Sequence, residues 1–382
     1  MDKYEYFWTC IRGNYLPTEL TLMAKNITGR DYSYEEIMGM KAGEIREKTG
    51  LTEDQAEYFM STKEEMDIDE KYDEFIKSGA CAITVNDEGY PDRLRYIENR
   101  PYALFYYGNM PDENKRTVAI VGARKCSEYG RFMAEKIAGE LGQKGINVIS
   151  GMAYGVDGIA QAAALNSGGK SYGVIGSGVD ICYPRANRLL YENLKKSGGI
   201  ISEYPIMVPA KPENFPYRNR IISGLADILV VVEARLKSGT FITVDYALSQ
   251  GREIMVVPGR ATDPLSTGCN ALLSQGAHPV QDAGDVIRLL DTISADSYTH
   301  NNRGNSFRTS ELIKYVPKAS EKILLEREEN MVYSVLDFYA LSPEDIMEAA
   351  KLDIFSVMNA LVSLELKGLI REKGKNLYVK CR

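Results

Sequence analysis

Seven apolar runs of strand length recur along the middle of the chain, each followed by a glycine-rich loop and a helical stretch: ACAITV (80–85), TVAIVGAR (117–124), NVIS (147–150), SYGVIGS (171–177), GIISEY (199–204), DILVVVEA (227–234) and EIMVVPG (253–259). No other feature constrains the fold as much. Strands that are near-continuous in Val and Ile, rather than alternating with polar residues, are buried on both faces. Strands that alternate with helical segments have the crossovers a parallel sheet needs. The prediction is an α/β fold, a doubly wound and mostly parallel sheet with helices on both faces. The composition fits: 382 residues, 44% hydrophobic and 26% charged, make a globular chain of two or three domains and exclude a disordered tail or a fibre.

The flanks differ in texture. Residues 1–78 carry helix signals and little else, among them the capping boxes Ser33-Tyr-Glu-Glu36 and Thr52-Glu-Asp-Gln55. We read them as a small all-helical module. Residues 79–290 form the sheet domain. The polar, aperiodic stretch 291–325 reads as a linker. From 326 a compact unit resumes: a helix with Met331, Val332, Val335 and Leu336, a second opened by Ser342-Pro343-Glu-Asp345, a third from Asp353 to Lys367 stopped by Gly368, then two short strands around a Gly-Lys turn. Three helices and a β-wing are the pattern of a winged-helix domain. Its third helix is apolar, with few base-reading side chains, and Phe355, Val362 and Leu366 are surplus to a core. A contact with protein is expected there rather than sequence readout.

Six cysteines without a C-x-x-C pair suggest neither a zinc cluster nor a disulfide framework, and only His278 and His300 are available for histidine chemistry. The first residues are polar and aromatic, and no apolar run approaches the length of a membrane span. A cytoplasmic protein with reduced thiols, no metal site and no membrane span is expected.

Ligands of a doubly wound sheet bind at the carboxyl ends of its strands, where helix N-termini present free N–H groups. Five loops of that edge carry small, hydroxyl or cationic residues. Gly122-Ala-Arg124 lacks the G-x-G-x-x-G of dinucleotide enzymes, and its arginine suits a phosphate ester. Ser150-Gly151-Met-Ala-Tyr-Gly-Val-Asp157 offers amides to an anion, with Asp157 a turn or cap residue rather than a catalytic acid. Lys211, Phe215, Tyr217, Arg218, Asn219 and Arg220 put cations, an amide and aromatic faces within ten residues, the set that holds phosphates and stacks an unpaired base. Ser238-Gly239-Thr240 opens another helix with two hydroxyls, and Pro258-Gly259 ends the last strand.

Taken together, Gly122-Ala-Arg124, Ser150 to Asp157, Tyr183-Pro184, Ser202 to Pro205, Phe215-Pro-Tyr-Arg-Asn-Arg-Ile221, Glu233 with Ser238-Gly-Thr240, and Pro258-Gly259 resemble the DNA-processing protein A family (DprA, also called Smf), continuously from about Gly89 to Ile287. The resemblance implies a protein without catalytic residues, metal or cofactor, which coats incoming single-stranded DNA during natural transformation and hands it to the RecA recombinase. It implies an extended Rossmann fold that forms a homodimer, between a SAM-like helical module and a winged helix. It also implies a basic pocket of Arg124, Lys211, Arg218 and Arg220 over a floor of Ser238, Gly239 and Thr240. Where the family commonly has histidine, this chain has Gln161.

Two other readings carry less. A Rossmann-fold nucleotide phosphoribohydrolase needs a glutamate in its glycine-rich loop, whereas here Thr240 is followed by Phe-Ile-Thr-Val-Asp245. A winged-helix transcription regulator needs a reading helix this chain lacks. The formal charge of −7 is no objection to a DNA ligand, because residues 1–78 hold 10 basic and 18 acidic side chains while 79–290 hold 23 and 21.

Overall fold

The computed structural model describes residues 1–10, 36, 39–49, 52–299, 327–336, 341–374 and 376–380. They form two compact units, Met1–Asn301 and Asn302–Arg382. The first is built on a nine-stranded sheet: β1 (Cys81–Thr84), β2 (Ala103–Gly108), β3 (Thr117–Gly122), β4 (Asn147–Ser150), β5 (Ser171–Val174), β6 (Gly198–Ser202), β7 (Ile228–Val232), β8 (Glu253–Val256) and β9 (His278–Pro279). Their order across the sheet is β1-β2-β6-β5-β4-β3-β7-β8-β9. From β6 to β9 every pairing is parallel, while β1 with β2 and β2 with β6 are antiparallel.

The Val/Ile runs are explained residue by residue. Side chains alternate across a strand, so Val118 and Ile120 of β3, with Ile228, Val230 and Val232 of β7, pack on one face under Met133, Ile137 and Leu141. Ala119 and Val121, with Leu229 and Val231, pack on the other under Ile221, Ile222 and Val244. Both faces are covered, so neither set of positions tolerates a polar residue.

Several expectations need revision. The run at 80–85 is not a parallel strand but the antiparallel edge strand of the same sheet, and the aromatic strand β2 beside it and the two-residue β9 carried no Val/Ile run. The helix Ala283–Thr299 extends past 291 into the stretch read as a linker, with Val286, Leu289, Leu290 and Ile293 in one apolar stripe against the sheet. Among the described residues, the apolar side chains of the helical module join those of the sheet. Tyr6 and Phe75 stack at 4.9 Å, and both meet Phe105 of β2 edge-on, at 5.9 and 5.7 Å, so the module and the sheet share one apolar cluster. The helix Glu53–Glu65 starts where its capping box predicts, whereas the box at Ser33 and the remaining linker, 300–325, lie outside the described residues.

The second unit has the helices Arg327–Val335, Pro343–Ala350 and Ile354–Leu366 and the hairpin β10 (Ile370–Gly374) and β11 (Leu377–Lys380). Ser342 and Asp345 close the expected capping box. Val332, Leu336, Ile346, Val357, Leu361, Leu364 and Ile370 form the core. Phe355 (79% exposed), Val362 and Leu366 (85%) face away from it. Lys367 is not open for a ligand, since its Nζ donates to both carboxylate oxygens of the buried Glu329 at 2.6 Å.

Candidate functional site

In this strand order the chain lays down β3, moves outward through β4, β5 and β6, and returns to place β7 on the other side of β3. The loops after β3 and β7 therefore leave in opposite directions and open a crevice at the switch point. A cavity of about 740 Å³ lies there, lined by Gly122 to Lys125 from the first loop, Arg235 and Lys237 to Thr240 from the second, and Phe215, Arg218 and Asn219 from the helix Asn214–Gly224. Gly122 ends β3 because a Cβ there would fall 1.8 Å from the Val232 carbonyl oxygen.

Five cations face this space, Arg124, Lys125, Arg218, Arg235 and Lys237, against the single carboxylate of Asp157. Four of them are exposed, and Arg218 is buried. The helix Thr240–Ser249 begins at the cavity wall, with Gly239 as its open N-cap. Ser238 Oγ accepts from the Thr240 N–H at 3.2 Å and lies 2.9 Å from Thr240 Oγ1. The site thus combines exposed cations at the rim, one fixed guanidinium inside, and a helix N-terminus with two hydroxyls. That chemistry suits the oxygens of phosphate groups.

Arg218 is fixed from several sides. It donates through Nη1 to Gly151 O (2.8 Å) and to Val174 O, and through Nε to Asn219 Oδ1 (3.2 Å). Burial pushes its guanidinium down to about 10, against the attraction of Asp157, so it is still a cation at neutral pH. Burial likewise raises Asp157, which Arg218 and the Gly151 N–H draw back down. Gly151 is small because a Cβ there would sit 2.6 Å from Arg218 Nη2 and 2.7 Å from Asp157 Oδ2. Ser150, equally buried, donates to Ile120 O at 2.6 Å and stands within hydrogen-bond reach of Asp157 without reaching the cavity. Ser150 and Gly151 therefore back the site rather than line it.

Of the four cations expected in one pocket, the structure brings Arg124 and Arg218 together and leaves two out. Arg220 is fully buried on the opposite side of the helix, with Nη2 2.7 Å from both oxygens of Glu203 and Nε donating to Asn99 O at 2.8 Å. Burial opposes its charge, but Glu203 more than offsets this and holds Arg220 above the ordinary arginine range. The spacing explains the split, since residues two apart on a helix lie about 200° apart. Lys211 is exposed ahead of that helix and does not line the cavity. The cations that take their places, Lys125, Arg235 and Lys237, were visible in the same two loops but not singled out. Their signal was position: each lies within a few residues of the end of β3 or β7.

Phe215 lines the cavity, its ring 5.9 Å from the Arg124 guanidinium carbon. Tyr217, the other stacking candidate, has its face covered by Arg220 at 3.9 Å. Gln161 is fully buried and satisfied at both ends, accepting from the Met152 N–H at 3.0 Å and donating to Tyr172 O at 2.8 Å. A neutral histidine would likewise offer one acceptor and one donor. Among the described residues no helix is long and apolar enough to cross a membrane, and no group of His, Cys, Asp or Glu is placed to hold a metal ion.

The profile described as DNA recombination-mediator protein A matches residues 81–291, and that described as DprA winged helix domain matches 316–374. The DNA processing protein DprA of Streptococcus pneumoniae is 40% identical over 207 residues, 54% of this chain and 73% of that one. Its X-ray structure superposes with a TM-score of 0.65 at 32% identity, covering 75% of this chain and 98% of that one. DNA processing protein A from Helicobacter pylori, solved for its single-stranded DNA binding mode, superposes with a TM-score of 0.50 at 27% identity, covering 56% and 96%.

Proposed function

Since the chain belongs to the DNA recombination-mediator protein A family, we propose that the cavity between β3 and β7 binds single-stranded DNA through its backbone, with little regard for sequence. The observation that carries this is the convergence of five cations and a helix N-terminus on one crevice with Phe215 in its wall. Cations and amides hold phosphates, and an aromatic face accepts any base, so affinity depends on salt and not on sequence. The single-stranded DNA binding of the Helicobacter pylori protein supports the same ligand.

No bond is broken in this reading. Asp157 is engaged with Gly151 and Arg218. Glu233, at the end of β7, is buried and accepts from the N–H and hydroxyl of Ser127, so it offers no free carboxylate for nucleotide hydrolysis. By extension, two copies pair through their Rossmann domains and deliver the coated strand to RecA recombinase during DNA uptake. The family's description as a recombination mediator supports the delivery step.

Competition between single-stranded and duplex oligonucleotides of one sequence tests the ligand. A strong preference for the single strand is expected, together with loss of binding in Arg124→Ala for every sequence alike. Equal affinity for duplex, or an Arg124→Ala effect confined to one sequence, would overturn the reading.

A further inference from the structure

Tyr183 lies outside the cavity, yet it is joined to it through one ring. Its side chain stacks on Phe215 with centroids 5.4 Å apart and planes 29° apart, and Phe215 in turn lies beside Arg124. Phe215 thus joins a cation of the cavity to a ring outside it. Tyr183 remains 49% exposed, which leaves much of a large aromatic side chain in water.

The inner ring is held in place, and the chain beside the outer one is anchored. Phe215 is seated over Gly176, where a Cβ would already stand 3.1 Å from its Cδ1, and the neighbouring Asn214 donates to Gly176 O at 2.8 Å. The segment after Tyr183 is tied to the loop that follows β4, with Asn187 Nδ2 donating to Met152 O (2.9 Å) and Ala153 O (3.2 Å). A ring fixed in orientation before a ligand arrives loses little freedom when a flat partner covers it.

We propose that Tyr183 is the outer step of a base-stacking platform: a nucleobase of the strand leaving the cavity lies on the open surface of its ring, with Phe215 stacked behind. The proposal rests on the single-strand reading of the cavity and adds a site that takes a base rather than a phosphate. Every base has a flat π-face, so the platform is indifferent to sequence. It makes no ion pair, so it contributes affinity without contributing to the salt dependence.

The test uses the full chain and fluorescein-labelled oligothymidylate, with a strand of equal length carrying abasic sugars as the second probe. Tyr183→Ala is expected to weaken oligothymidylate binding about tenfold, within the range of a single base–aromatic stack. Tyr183→Phe keeps the π-face and should bind as the parent does. Tyr183→Leu keeps apolar bulk without the π-face and should resemble Tyr183→Ala. The slope of log affinity against log salt stays unchanged in all three, and on the abasic strand all three match the parent. Parent-like binding of oligothymidylate by Tyr183→Ala, or an equal loss on the abasic strand, overturns the platform. Arg124→Ala, run alongside, separates the two ideas: if it loses binding while Tyr183→Ala does not, the platform alone fails, and if neither variant loses binding the cavity reading fails with it.

Discussion

Arg218 and Arg220 are two residues apart on one helix and use the same guanidinium for different ends. Arg220 and Glu203 are both almost fully buried, and each oxygen of the carboxylate receives a bond from Nη2. Removing one partner of such a pair leaves the other charge buried alone, at a cost of about 3–5 kcal/mol. Arg220→Ala should therefore lower the midpoint of urea unfolding, and the protein that remains folded should bind oligonucleotide with parental affinity. Arg124, exposed at the cavity rim, should show the reverse: Arg124→Ala leaves the unfolding midpoint unchanged and loses affinity. An unchanged midpoint in Arg220→Ala would show that its ion pair is not the support its burial implies. Gly151 ties the two effects together. Its missing Cβ makes room for Arg218 and Asp157, so Gly151→Ala must displace one of them, with an expected stability loss of about 1–3 kcal/mol and a parallel loss of affinity. Parental affinity in that variant would mean that the position of Arg218 does not matter for the ligand.

At the scale of elements, the site is two loops and a helix locked to one another. Glu233 makes the lock: it ends β7 at a φ of 55°, and its carboxylate reaches across to the N–H of Ser127 at 2.8 Å and to the Ser127 hydroxyl. Ser127 is the N-cap of the helix Glu128–Gln143, accepting from the Gly130 N–H at 3.1 Å. Glu233→Ala cuts the tie between the loop bearing Arg124 and Lys125 and the loop bearing Arg235 and Lys237. Stability should fall by about 1–3 kcal/mol for the lost hydrogen bonds to a charge, with affinity falling as the cations lose their common frame, while Glu233→Gln, which keeps an acceptor, recovers most of both. Equal unfolding curves and oligonucleotide titrations for Glu233→Ala and the parent would dismiss the lock. This contact also marks the limit of what the chain reveals linearly. The parallel strands were legible because burial on both faces leaves a run of Val and Ile, and the winged helix was legible through its caps. Strand β2, second from the edge, was not, because its Leu-Phe-Tyr-Tyr is covered by the helical module from one side, which no local pattern records. Arg220 is hard to place for a related reason: composition within ten residues shows that cations are near one another, whereas the helix sends Arg218 to the cavity and Arg220 to Glu203.

For the whole molecule, the question is how a chain of net charge −7 holds a polyanion. The cavity answers it locally, with five cations against one carboxylate, while the excess acid lies in the first 78 residues. If each of those cations neutralises one phosphate of a single strand, the slope of log affinity against log salt should be about −3.5, at roughly 0.7 counterions released per contact. Each single replacement among Arg124, Lys125, Arg235 and Lys237 should flatten it by about 0.7. All five cations belong to the unit Met1–Asn301, which has its own sheet and core, and none to the winged helix, whose exposed third helix carries Phe355, Val362 and Leu366 where a DNA reader carries basic side chains. A chain ending at residue 301 should accordingly keep both the affinity and the slope, measured by oligonucleotide anisotropy across a salt series. A slope that falls by two or more on truncation would instead place phosphate contacts on the second unit and make the cavity only part of the DNA-binding surface.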